Sequence, residues 1–341
     1  MHLMEDTRDI SVLIPLYRGR NSVRACIDSL AKQVGVNLEI ILLDNGCPED
    51  TGEWAGYYLA QKSPALNWTL LEEPANTGFA AAMNRLYSSS EKSLVCFLNQ
   101  DVVLEPDHLA NLARALQRHE NWAGVCGTLF RSGGTGSGRM IDTTGHVIFR
   151  DRIVRNRGAG KAIGPDGSIR FEEGEVFGLS AACALYRRDA LESCREPEGP
   201  FDPDFFAYFE DIDLDFRLRR AGWELGYTPD AVGSHELAGS GGRRELGIRL
   251  RAYGNRRRLM WKHETVRSLF PDLGPVIMQE IYGWLRALVT DPIAWFAGPW
   301  WFCLTFPSVL RRRRMLKEKL GNNMSWLREW LKSETERFAN R

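Results

Sequence analysis

The chain has no surplus of charge: Lys+Arg 44 are matched by Asp+Glu 44. Nothing therefore draws the whole molecule toward nucleic acid or an anionic membrane, and only local clusters can act in that way. The seven cysteines form no Cys-x-x-Cys pair and no zinc-type spacing, which points to a reducing compartment. No Gly-x-Gly-x-x-Gly follows an apolar strand and no Gly-Lys-Ser/Thr occurs, which argues against a dinucleotide dehydrogenase and a P-loop enzyme. Internal repeats and long low-complexity segments are also missing. Met1 to Asp9 is short and charged and leads into a strand-sized apolar run, so no secretory leader is expected.

What is there is enough chain, 341 residues, for one large α/β domain with an appendage or for two domains. The first half alternates short apolar runs with helical patterns. Ile10–Tyr17 reads as a strand, followed by Arg18-Gly19-Arg20-Asn21 and a helix with Val23, Ile27 and Leu30 on one face. Leu38–Leu43 is a second strand ending in Asp44-Asn45-Gly46, and Leu66–Leu71 a third. The turn Asn76-Thr77-Gly78-Phe79 and a helix from Ala80 to Tyr87 come next. Ser93–Leu98 is a fourth strand, stopped by Asn99-Gln100-Asp101, and Ala123–Phe130 a fifth. This alternation predicts right-handed βαβ units and a mostly parallel sheet flanked by helices. Its strands end in polar residues along one carboxyl edge, where open α/β sheets bind ligands. A carboxylate there, Asp101, either holds a divalent cation against a diphosphate or caps the turn into the helix after Pro106. Asp44 either meets a base or ribose or caps its own turn.

The second half is less regular. Residues 132–175 are glycine-rich, with Arg150, Arg152, Arg155 and Arg157, and read as a functional loop. Glu175–Tyr186 reads as a small-residue strand. Phe205, Phe209, Ile212 and Phe216 then fall at helical spacing, while Asp211 and Asp215 share another side one turn apart. Four carboxylates, Glu210, Asp211, Asp213 and Asp215, lie within six residues. They form either a solvated face paired with Arg217, Arg219 and Arg220, or a group whose crowding raises pKa values toward those of a general base. Trp223–Thr228 reads as a last strand. His235, beside Gly239-Ser240-Gly241-Gly242, is better placed than the other histidines to reach a metal or a diphosphate.

Taken in order, Ser11–Tyr17, Asp44-Asn45-Gly46, Asn76-Thr77-Gly78-Phe79, Leu98-Asn99-Gln100-Asp101, Phe201-Asp202, Phe206–Asp213 and His235 resemble family 2 glycosyltransferases. The likeness is strongest to the rhamnosyltransferase-like branch of bacterial surface-polysaccharide synthesis, and it covers roughly residues 10 to 260. The resemblance implies the glycosyltransferase A fold, a Rossmann-like sheet, and an inverting, metal-dependent transfer from a nucleotide-diphosphate sugar. Residues 1–131 would be the nucleotide-sugar half and 132–243 the acceptor-binding and catalytic half. By position, Pro15, Tyr17, Asp44, Asn76, Gly78, Asn84, Asn99 and Gln100 would bind the nucleotide sugar. Ser180, Tyr208 and Trp223 would meet the acceptor, Asp211 with Glu210 would be catalytic, and Asp101 with His235 would hold Mg2+ or Mn2+. The donor implied is dTDP-rhamnose, with UDP- and GDP-sugars as alternatives, and the acceptor a polyprenyl-linked saccharide. Two departures stand out: Asn99-Gln100-Asp101 offers one carboxylate where the family usually has two or Asn-Pro-Asp, and Leu179-Ser180-Ala181-Ala182 replaces a glycine-rich strand. A non-catalytic sugar-nucleotide scaffold and a sugar-1-phosphate nucleotidyltransferase are the rivals. The second lacks its glycine-rich N-terminal loop, since Tyr17-Arg18-Gly19-Arg20 carries one glycine.

Residues 244–341 form a helical, aromatic and basic extension. Glu245–His263 reads as an amphipathic helix on anionic lipid or a helix packed on the catalytic domain. Pro292–Leu310 carries no charge and many aromatics, with Arg311–Arg314 directly after it. Pro292, Gly298, Pro299 and Pro307 predict a broken, interfacial or re-entrant element rather than a span, at the cytoplasmic face of the plasma membrane. A tryptophan-rich core or a homodimer contact is the bland alternative. Lys317–Phe338 reads as a final amphipathic helix.

Overall fold

The computed structural model describes residues 9–62, 65–132, 139–163, 171–236 and 246–332. The glycine-rich stretches Gly133–Gly138 and Gly239–Gly242 and the chain after Lys332 lie outside them. In chain order the first half runs β1 (Asp9–Leu16), α1 (Arg20–Leu30), β2 (Asn37–Asn45), α2 (Thr51–Lys62), β3 (Asn67–Glu73), α3 (Phe79–Ser88), β4 (Leu94–Leu98), β5 (Val102–Leu104), α4 (His108–Arg118) and β6 (Trp122–Arg131). Then follow β7 (Arg139–Thr143), β8 (His146–Phe149), β9 (Val154–Asn156), β10 (Ala162–Ile163), β11 (Gly174–Glu175), β12 (Cys183–Arg187), α5 (Arg188–Cys194), α6 (Glu210–Arg220) and β13 (Glu224–His235). The C-terminal part is helical: α7 (Leu246–His263), α8 (Val266–Leu269), α9 (Leu273–Thr290), α10 (Pro292–Leu320) and α11 (Leu327–Trp330), with a short β14 (Leu331–Lys332).

The sheet order is β10-β7-β6-β12-β4-β1-β2-β3, with β13 beside β6. Strands β3, β2, β1 and β4 are mutually parallel, and β13 is parallel to β6. β12 lies antiparallel between β4 and β6. Of the strand that Glu175–Tyr186 predicts, only Cys183–Tyr186, in β12, and Glu175, in β11, are strand. Alternation along each strand sends side chains to two faces. Ile10, Val12, Ile14 and Leu16 of β1 join Leu94, Cys96 and Leu98 of β4 under α1, α2 and α4. Leu13, Val95 and Phe97 go to the opposite face under α3, α5 and α6. Both faces being covered is why these strands are apolar throughout. The parallel register sets Leu16 beside Asp44 and Asp44 beside Glu72, so the strand ends form a single rim.

The C-terminal helices are not a separate appendage. Helix α7 buries Asn255, Arg258, Leu259, Lys262 and His263 against the acid-rich segment, so it turns a polar face inward and does not offer it to lipid. Helix α10 is continuous from Pro292 to Leu320 with Pro299 and Pro307 inside it, which corrects the expectation of a broken helix. A proline removes one N–H from the ladder, and here the helix continues through both. Its two ends are tied to the body: Asp291 pairs with Arg249 of α7 at 3.0 Å, and Arg312 pairs with Glu198 at 2.6 Å and Glu196 at 3.3 Å. The predicted final helix is interrupted by Gly321, whose φ of 71 lies in the left-handed region.

Candidate active site

Helix α6 carries the acid-rich run, and it begins at Glu210, later than the aromatic spacing predicts. Phe206, Tyr208 and Phe209 have φ of 65, 70 and 74, left-handed values that cost non-glycine residues energy and persist only under constraint. Two neighbours constrain them. Asn255 of α7, fully buried, donates its amide to the carbonyls of Phe205, Ala207 and Tyr208 at 3.0, 3.1 and 2.8 Å. The Phe206 carbonyl accepts Ala80 N–H at 3.1 Å, and Gly78 packs on its ring so closely that a Cβ would lie 2.5 Å from Phe206 Cδ2.

This strained segment and the start of α6 form one side of a cavity of about 450 Å³. Asn99, Ser180, Ala181, Tyr208, Glu210, Asp211 and His235 all line it, as do His146 of β8 and Arg155 of β9. Asp211 Oδ2 accepts the Ala181 N–H at 3.4 Å and has His146 Nε2 at 3.6 Å. The other ring nitrogen, Nδ1, meets Asp215 Oδ2 at 2.9 Å, and Asp215 Oδ1 accepts Leu179 N–H at 3.0 Å. Asp211 and Asp215 do share one side of the helix, and an imidazole bridges them. Burial works to depress the His146 pKa, but the two carboxylates outweigh it and raise the value. Burial pushes Asp215 up to about 6, against the opposing pull of His146. Glu210 is also buried, has one carboxyl oxygen without a partner among the described residues, and is pushed well above the carboxylate range by burial and then by Asp211.

Crowding does not act alike on all four acids. Asp213 points the other way, into a buried ion cluster in which Lys262 Nζ lies 2.8 Å from Asp213, 2.7 Å from Asp202 and 2.7 Å from Glu196. Glu196, Asp202 and Asp213 are close enough together to hold a metal ion, but the ammonium already occupies that place. Arg217 and Arg312 complete the charge balance at 2.8 Å from Asp213 and 3.3 Å from Glu196. A solvated acidic face is therefore not what this helix presents.

His235, at the end of β13, also lines this cavity and places Nε2 3.2 Å from Asp101 Oδ1 and Nδ1 2.9 Å from Asp142 Oδ2. Burial alone lowers the His235 pKa; hydrogen bonds to Asp101 and Asp142 overcome it and bring it to about 9. The donor set fits a divalent cation. With its Nδ1–H held by Asp142, His235 would present Nε2 as a ligand once a cation displaced the proton that Nε2 shares with Asp101. Asn99 Oδ1, buried and without a hydrogen-bond partner among the described residues, lines the same cavity.

Several predicted nucleotide residues are spent on holding the rim together. Asp44 accepts the Cys47 and Gly52 N–H groups at 2.8 and 2.9 Å, which is the capping role. Gln100 accepts Tyr17 N–H at 2.8 Å and donates to the carbonyls of Tyr17 and Arg18, locking β4 to the end of β1. Asn76 accepts Gly78 N–H at 2.9 Å, and Asn45 closes the same turn through Thr77. Asn84 requires correction as a ligand contact. It is buried, and its amide is bound in both directions to the backbone of Phe201, at 2.8 and 2.9 Å. Trp223 does not reach the cavity either; its indole donates to Ser193 Oγ at 3.1 Å and it packs on the α5–α6 side of the core. Pro15 and Tyr17 stay on the rim, half-buried. The sequence reading missed Asp142, His146 and Asn255. Each is an ordinary residue locally, and only a buried polar position would have marked it.

The family model for glycosyl transferase family 2 matches residues 11–195. Among curated proteins the chain is 30% identical over 233 residues to the N-acetylglucosaminyl-diphospho-decaprenol L-rhamnosyltransferase of Mycobacterium tuberculosis, covering 60% of this chain and 69% of that one. It is 25% identical over 242 residues to the uncharacterized protein y4gI of Sinorhizobium fredii, covering 70% of this chain and 26% of y4gI, so it spans about a quarter of that relative. Among solved structures, GalNAc-T7 with UDP, GalNAc and Mn2+ superposes with a TM-score of 0.57 at 13% identity, over 76% of this chain and 48% of that one. Residues 1–349 of S. aureus TarS give a TM-score of 0.56 at 15% identity, over 91% of this chain and 86% of that one. These likenesses are to the glycosyltransferase A fold.

Proposed function

We propose, from the premise that this chain belongs to glycosyl transferase family 2, that it is an inverting enzyme moving a sugar from a nucleotide diphosphate to a lipid-linked saccharide. The observation that supports the reading is one cavity lined by both Asp211 and His235, the latter bonded to Asp101. Asp211 removes the proton from the attacking acceptor hydroxyl, whose oxygen forms a bond to the donor's anomeric carbon as the bond to the diphosphate breaks on the opposite side. His146 and the Ala181 N–H hold the Asp211 carboxylate in place. Asp101 and His235 are the residues that would hold Mg2+ or Mn2+, which when bound offsets charge on the departing diphosphate. Pro15, Tyr17 and the turns held by Asp44, Asn76, Gly78 and Gln100 shape the nucleotide rim, while Ser180 and Tyr208 face the acceptor.

Rhamnose from dTDP-rhamnose is the transfer we favour, supported by the mycobacterial relative's named activity. UDP- and GDP-sugars are the alternatives. A lipid-linked acceptor used with a nucleotide-sugar donor favours work at the cytoplasmic face of the membrane. Helices α9 and α10 expose Met278, Tyr282, Val289, Phe296, Trp300 and Leu304. Both ends of the uncharged stretch of α10 are paired with other parts of the chain, Asp291 with Arg249 and Arg312 with Glu196, which favours an interfacial element over a span. A homodimer through the same face is the second occupant. Thermal-shift titration with nucleotide diphosphates, with and without Mn2+, identifies the donor class. Asp211→Asn is expected to lower kcat by about 10²–10⁴-fold with nucleotide binding retained; unchanged turnover removes the base assignment.

A further inference from the structure

We propose that Asn255 of α7 is a positioning residue for the transfer: it holds residues 205–208 in the turn that sets the start of α6, and with it Asp211, in the cavity wall. This deepens the function proposed above and rests on its assignment of Asp211 as the base. The family model ends at residue 195, so neither the turn nor α7 lies within it.

The turn is held against its own backbone preference. Phe206 has φ 65 and ψ −63, and the Ala207 N–H donates to the Phe205 carbonyl at 2.8 Å. That is a γ-turn of the positive-φ kind, which is rare and strained. Tyr208 and Phe209 follow with left-handed φ of their own, and Phe209 is the N-cap of α6. Glycine takes positive φ readily, yet three aromatic residues stand there. Tyr208 is 42% exposed, so burial does not offset its conformation. Strain of this sort persists where the surroundings over-determine it, and it collects at working sites.

Asn255 supplies the restraint. Its Nδ2 serves the carbonyls of Phe205, Ala207 and Tyr208. Its Oδ1 is buried with no hydrogen-bond partner among the described residues, so the side chain works there as a donor. Other residues of α7 grip the same segment. The Arg251 guanidinium, one turn before Asn255, lies 4.4 Å from the centre of the Phe206 ring, and Arg258 Nη1 is 3.3 Å from Asp204 Oδ2. Lys262 holds Asp202 and Asp213, the two ends of the segment, and Asn255 holds its middle. Without the amide three carbonyls lose a donor, and the turn is free to relax toward ordinary φ. The next residues, Tyr208, Phe209, Glu210 and Asp211, line the cavity and would move with it. A displacement of about 1 Å at a reacting group can lower a rate by about 100-fold.

The test uses dTDP-rhamnose as donor and geranylgeranyl-diphospho-N-acetylglucosamine as acceptor, with dTDP binding followed by thermal shift. Asn255→Asp keeps the size of the side chain and removes its donors, whereas Asn255→Ser keeps one donor and serves if the first variant misfolds. The kcat is expected to fall about 10- to 100-fold in Asn255→Asp and by less in Asn255→Ser, while the dTDP dissociation constant stays within about twofold of wild type. A purely structural role would lower nucleotide binding and turnover together. Turnover unchanged in the folded variants overturns the proposal, and so does loss of nucleotide binding in both, since Asn255 would then serve the fold alone. No transfer by the wild-type enzyme, from dTDP-rhamnose or from UDP- or GDP-sugars, would instead remove the function on which the proposal rests.

Discussion

Replacing Lys262 by methionine tests the ion cluster that fixes α6 to α7. The Lys262 ammonium is fully buried and lies within 2.8 Å of Glu196, Asp202 and Asp213. Burial by itself raises the Asp213 carboxyl, and the charges of Lys262 and then Arg217 outweigh it and hold it well below the usual range. Methionine keeps most of the volume but leaves the buried acids one positive charge short. Breaking a buried pair in this way costs about 3–5 kcal/mol. With an unfolding entropy of about 2.1 cal/mol/K per residue, the 341-residue chain has roughly 0.7 kcal/mol/K, so Tm should fall by about 4–7 °C. Thermal unfolding at pH 7 measures it. Asp202→Asn in the same chain removes one of the uncompensated acids and should recover about 1–3 kcal/mol as a coupling energy. A single-variant loss under about 1 kcal/mol, or no recovery in the double variant, would refute the view that a lysine occupies the place of a cation here.

The same cluster gives a pH prediction. His263 is buried, with Nε2 2.8 Å from Asp213, and burial depresses its pKa to about 4. A histidine depressed on folding contributes stability that is present above the unfolded value near 6.5 and lost as pH falls through about 4. The drop is worth about 3 kcal/mol, so His263→Gln should lose less stability than wild type between pH 7 and pH 4 in urea titrations; equal slopes would reject it. For catalysis, His146→Gln removes a cation-forming group from beside Asp211, and the acid limb of the kcat/KM profile should move to higher pH, whereas a purely structural role would lower activity without moving the limb. At the membrane, Phe296→Glu with Trp300→Glu should abolish flotation with vesicles containing anionic lipid, and retained flotation would remove α10 from the interface.

The strand and helix alternation of the first half was legible because each apolar run is short, bounded by small polar turns and covered on both faces. The carboxyl edge, with Asp101 at the end of β4, follows from the direction of the chain alone. Asp211 was marked as a candidate by its acid-rich neighbourhood, and it lies in the wall of the cavity. The partition of those acids was not: Asp211 enters the cavity, Asp213 meets Lys262 from α7, and Asp215 meets His146 from β8. Sequence spacing gives the side of the helix but not the charge that waits opposite. Asn84 and Trp223 failed as ligand contacts for a related reason, since an amide or an indole bonds whatever backbone or hydroxyl the fold brings within reach.

The sequence by itself determined the βαβ order, the two-faced core and the identity of the acids at the edge, because these depend on local periodicity and chain direction. Only the tertiary structure decided that α7 turns its polar side inward, that Asn255 holds the strained turn before Glu210, and that α10 runs unbroken through two prolines. Those outcomes depend on pairings between residues up to about a hundred positions apart, where the balance of burial and opposite charge is set after the elements have met.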